Sequence, residues 1–71
     1  MKTKYKYIHF SQSEFSGDVW ICKDATRTPL AWVYYYKDWT QYVANFAKNA
    51  VFSADCLADI QDFLNQLNKD D

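Results

Sequence analysis

The sequence is poor in the residues that break or loosen a chain. Of its 71 residues one is glycine, Gly17, and one is proline, Pro29. Flexible linkers and low-complexity tracts are built from such residues, so both are excluded. So are the glycine-rich phosphate loops, which need several glycines to bring backbone close to a phosphate. Long apolar runs are missing as well. The longest covers residues 30–36, and a membrane-spanning helix needs about 20 residues. The basic start (Lys2, Lys4, Lys6) is not followed by the apolar stretch of a secretory signal. These features predict a cytoplasmic protein with no membrane partner.

Metal-binding and nucleophilic residues are also few. Cys22 and Cys56 lie 34 positions apart, and His9 is the one histidine. Zinc sites use four ligands, often in close pairs, so no metal and no cofactor is expected. In a reducing compartment the two thiols read as free, buried, small apolar side chains. A Cys–His nucleophile needs the two groups in contact. His9 and Cys22 fall on neighbouring candidate strands, but a half-exposed strand histidine and a buried thiol are the commoner outcome. Glu14, Asp18, Asp24 and Asp38 fall in segments that read as turns and caps. The sequence therefore predicts a protein that is not an enzyme.

Aromatic rings are abundant: three Trp, six Tyr and five Phe make up 20% of the chain. A chain this short buries only about 60% of the surface its unfolded form exposes. Each buried ring removes a large area from water, and Tyr and Trp keep a polar end for the rim. Rings are thus the means by which one small domain, residues 1–71, can hold together. Charge is divided along the chain. Residues 1–52 hold seven basic and four acidic side chains, a surplus of three positive. Residues 53–71 hold one basic and five acidic side chains, a surplus of four negative.

Periodicity predicts strands over residues 5–10, 19–23 and 30–37. In the first, Ile8 and Phe10 share a face. Phe15, in the polar stretch that follows, is expected to cap the core. The third offers Leu30, Trp32, Tyr34 and Tyr36 to one face and Ala31, Val33 and Tyr35 to the other. After it the period changes. Trp39, Tyr42, Val43, Phe46, Ala47 and Ala50 fit one face of a helix over 39–49, with Asp38 as N-cap. The β-forming Tyr42, Val43 and Phe46 support a competing reading of 41–52 as a strand or hairpin. A second helix is predicted over 54–68. Ser53 is its N-cap, Asp55 lies in its first turn, and Leu57, Ile60, Phe63, Leu64 and Leu67 form its apolar stripe.

The expected fold is α+β: a small three-stranded antiparallel meander, or four strands on the competing reading, followed by one or two helices packed on one sheet face. The expected core is Ile8, Phe10, Val19, Ile21, Leu30, Val33, Phe46, Leu57, Ile60, Phe63, Leu64 and Leu67. Trp32 and Tyr34 would replace Val33 if the third strand has the opposite phase.

That architecture leaves more rings than one covered face can absorb. Trp20, Trp32, Tyr34, Tyr35 and Tyr36 are the candidate partner-binding residues, since aromatic side chains are frequent interface anchors. Asp55, Asp59 and Asp62 form a second candidate element, an acidic ridge that suits a partner with a basic nucleic-acid-binding groove. The expected function is a protein-interaction module, an inhibitor or adaptor of the kind found among small phage accessory proteins. A second copy of the chain is another candidate partner. The alternative is single-stranded nucleic-acid binding, with Tyr5, Tyr7, Trp20 and Tyr35 stacking bases beside Lys4, Lys6, Lys23 and Arg27. Against it stand a pI near 5.6 and a single arginine, because phosphate neutralisation usually dominates such affinity.

Overall fold

The computed structural model describes residues 1–69. Four strands and a helix follow in order: β1 (Ile8–Gln12), β2 (Trp20–Asp24), β3 (Pro29–Tyr36), β4 (Gln41–Phe46) and α1 (Ala54–Asn68). The strands form one antiparallel sheet in sequence order, and α1 packs on one face, lying closest to β4. The domain is therefore α+β, with a fourth strand and a single helix among the described residues.

α1 begins where the sequence signals it. The Ser53 side chain accepts a hydrogen bond from the Cys56 backbone N–H at 3.1 Å, which satisfies one of the free donors of the first turn. Its buried residues, Cys56, Ile60 and Phe63, meet Ile8, Phe10, Cys22, Ala31 and Val33 of the sheet to form the core. The centre of the covered face carries small side chains, Cys22 and Ala31, opposite each other in register. They leave room for the Phe63 ring, which stacks on Phe10 with centroids 3.9 Å apart and planes 7° from parallel. The Trp20 ring meets Phe63 edge-on at 5.3 Å.

The segment 39–49 is not a helix. Gln41–Phe46 pairs with β3 from Tyr36↔Gln41 to Ala31↔Phe46. The helical spacing of its apolar residues is outweighed by the edge of β3, whose backbone groups need partners. Asp38 accordingly lies in the β3–β4 turn instead of capping a helix, and Thr40 closes that turn at φ 49°. The core differs too. β2 turns Trp20 and Cys22 inward and Ile21 outward, since Phe10 is opposite Cys22 and Ser11 opposite Ile21. Val19 precedes the strand and is half-buried. Phe46 and Leu57 are 47% and 46% exposed, because both lie along the sheet margin formed by β4. Phe15 caps nothing; it is 98% exposed in the β1–β2 loop. Tyr5 and Tyr7 precede β1, in a tight turn closed by a Tyr5 N–H to Ile8 carbonyl bond of 2.8 Å. A bulge between Cys22 and Lys23 brings Leu30 against the core, although Trp32 on the same strand faces outward.

Candidate interaction surface

Strand alternation sorts the rings of β3. Ala31 and Val33 are fully buried under α1, so Trp32, Tyr34 and Tyr36 point to the opposite face. Register adds Ile21 beside Trp32 and Val43 beside Tyr34. The open face is thus a band of three rings flanked by two β-branched residues across the central strands. Trp32 is 37% exposed, while Tyr34, Tyr36, Ile21 and Val43 are half-buried by one another. Tyr36 is held edge-on by Trp39 at 5.1 Å, and the Asn45 amide reaches the Tyr34 hydroxyl at 3.4 Å. These contacts limit the freedom of rings that have no cover.

Two candidate rings lie elsewhere. Trp20 is on the helix side, against Phe63. Tyr35 also alternates to the helix side, at its margin, where it meets Tyr42 edge-on at 5.4 Å. The acidic ridge is on the helix layer, across the sheet from the open face. Its members are not equivalent. Asp62 accepts a hydrogen bond from the Tyr5 hydroxyl at 2.8 Å, and Gln66 bonds the same hydroxyl at 3.0 Å. Burial and the Asp62 carboxylate together raise the Tyr5 phenol above its ordinary range. Asp59 is half-buried and Asp55 exposed in the first turn. The ridge and the ring band therefore cannot both press on one flat partner surface.

The remaining chemistry is dispersed. His9 and Cys22 project from opposite faces of the sheet, which rules out a Cys–His pair. Cys22 and Cys56 are free, buried thiols. Burial, reinforced by Cys56 and Asp24, pushes the Cys22 thiol up to about 12. Asp24 is occupied by its own turn: its Oδ1 accepts from the Thr26 and Thr28 N–H groups at 2.9 and 3.0 Å and from the Thr26 hydroxyl at 2.7 Å. Those bonds hold its carboxyl below the usual range. Among the described residues no three His, Cys, Asp or Glu side chains are grouped to hold a metal ion. Among the same residues no helix is long and apolar enough to cross a membrane.

Of the rings suited to stacking nucleic-acid bases, Trp20 and Tyr5 are packed against the core. Tyr7 stays half-exposed, with the Lys6 ammonium 5.2 Å from its centroid. Lys4, Lys6, His9 and Arg27 line a shallow pocket at the β1 end of the sheet. On the open face the charged strand residue is Lys23 of β2, with His9 opposite it on β1. Ile21, Val43 and the cross-strand band they complete escaped the sequence reading. The signal was the phase of β2, which a run of five residues, all but one of them half-buried, leaves ambiguous. Comparison with protein-family models, curated proteins and solved structures finds no match to this chain.

Proposed function

We propose that this protein is a non-enzymatic protein-interaction module, an inhibitor or adaptor, whose partner docks on the open sheet face at Trp32, Tyr34 and Tyr36. The observation that supports this reading is the band itself: three rings on the central strand, with the helix on the other face. Aromatic anchors of this kind supply a large contact area at low cost in side-chain entropy. A protein partner fits better than a nucleic acid. The band carries no charge, and Lys23 alone on that face is too little positive charge to follow a phosphate chain.

The test is capture of partners from the native cells with the tagged wild-type protein and with Trp32→Ala, before and after nuclease treatment. A protein should be retained through nuclease treatment and moderate salt. Trp32→Ala should weaken it by about 2 kcal/mol, roughly 30-fold in Kd, with the melting temperature little changed. Loss of the partner on nuclease treatment, with steep salt dependence of binding to a labelled single-stranded oligonucleotide, would favour the nucleic-acid alternative. Undiminished binding by Trp32→Ala and Tyr34→Ala would refute the assignment of the face.

A further inference from the structure

The sheet has two edges, and they are treated differently. Along β1 the segment before the strand folds back and takes up two of the outward backbone groups: the Phe10 N–H donates to the Thr3 carbonyl at 2.8 Å, and the Ile8 carbonyl accepts from Tyr5 at 2.8 Å. Along β4 the alternation is set by Ala47, whose N–H bonds Leu30 of β3 at 2.9 Å. Odd-numbered residues of β4 therefore face β3, and Tyr42, Ala44 and Phe46 turn their N–H and C=O groups outward. The Asn68 side chain closes the first of these positions. Its Oδ1 accepts from the Tyr42 N–H at 2.6 Å and its Nδ2 donates to the Tyr42 carbonyl at 3.2 Å, as a neighbouring strand would. Among the described residues no hydrogen bond reaches the outward groups of Ala44 or Phe46.

An open edge is a template for another strand, and natural sheets usually blunt it with lysine, proline or a bulge. Gln41–Phe46 has none of these. Beside it runs a groove between β4 and α1, walled by Phe46, Leu57, Gln61, Leu64 and Asn65. None of the twelve residues lining that groove is Asp, Glu, Lys, Arg or His, in a chain where 24% of residues are charged. The acidic side chains of α1 lie elsewhere on the helix, with Asp62 turned toward Tyr5.

We infer that a second copy of this chain pairs here, β4 against β4 in antiparallel fashion, with Ala44 of each copy opposite Phe46 of the other. That register uses the two open residues of each edge and leaves the Asn68–Tyr42 clasp intact. It sets Asn45 against its own counterpart on the two-fold axis and joins the sheets into one of eight strands. Both helices then lie on the same side, and their uncharged stripes meet. The argument for a second copy over a foreign peptide is self-complementarity. A two-fold contact places each patch against itself, and an uncharged edge beside an uncharged groove meets its own copy without like-charge repulsion. A charged patch would not. The surface is distinct from the open ring band, and the inference stands whether or not that band binds a partner.

Sedimentation velocity across concentrations up to about 0.5 mM reads the association directly, because dimerisation follows mass action. The wild type should approach twice the 8.4 kDa chain mass, while Phe46→Lys and Gln61→Lys should sediment as monomers with unchanged circular dichroism. Gln61 is exposed, so its substitution keeps the test valid if Phe46→Lys fails to fold. Trp32→Ala should remain dimeric. A wild type that stays monomeric throughout overturns the inference, as does a dimer that survives Gln61→Lys or dissociates with Trp32→Ala.

Discussion

Phe63 and Leu57 belong to the same apolar stripe of α1 in the sequence, yet their truncation should have very different costs. Phe63 is fully enclosed, stacked on Phe10 and touched edge-on by Trp20. Replacing a buried Phe by Ala costs about 3–5 kcal/mol, and an aromatic pair contributes roughly 0.5–1.5 kcal/mol beyond its area. A domain of 71 residues has a total stability of about 4–10 kcal/mol at the usual value per residue. Phe63→Ala should therefore remove at least about a third of the stability and lower the urea midpoint clearly. Leu57 is 46% exposed. Full burial of a Leu side chain is worth about 1.5–3 kcal/mol, so Leu57→Ala should cost roughly 1 kcal/mol or less. Urea titrations followed by far-ultraviolet circular dichroism measure both losses. They should be run dilute, so that self-association adds nothing. Equal losses in the two variants, or a loss below about 1 kcal/mol for Phe63→Ala, would refute the placement of α1 on the sheet.

Two further outcomes follow from the turns and the buried titrating groups. Thr40 is a β-branched residue held at φ 49°, a conformation that costs an L-residue roughly 1–2 kcal/mol, so Thr40→Gly should raise the melting temperature by several degrees despite the entropy cost of glycine. A lower melting temperature would mean that the Thr40 hydroxyl bond to the Trp39 carbonyl, at 2.7 Å, outweighs the backbone strain. Stability should also fall in alkali: Cys22 moves from an ordinary value near 9 to about 12 on folding, and Tyr5 is raised as well. Above pH 9 the unfolded chain loses protons that the folded chain keeps, so the urea midpoint should decline from about pH 9 toward 12. Cys22→Ala should flatten that decline, and an unaltered slope in this variant would count against the buried thiol as a cause.

Local chemistry was enough for α1. Ser53, Asp55 and a stripe at helical spacing lie within one segment, and the helix runs over Ala54–Asn68 as that pattern requires. β3 was similarly legible, because its long run of aromatic and β-branched residues suits a pleated surface wherever it packs. The segment after it was not legible. Tyr42, Val43 and Phe46 satisfy a helical period and a strand propensity at once, and what decided between them was the unpaired edge of β3, a feature that exists only once the sheet has formed. The phase of β2 was decided the same way. Ile21 is the more apolar choice for a core, yet Cys22 and Ala31 lie under α1 because their small side chains admit the Phe63 ring. Composition alone showed that the chain holds more rings than one covered face can bury. Only the tertiary structure separated Trp20, half-buried against Phe63 on the helix side, from Trp32, Tyr34 and Tyr36 on the open face, because strand alternation assigns faces only after register and the position of the covering helix are set.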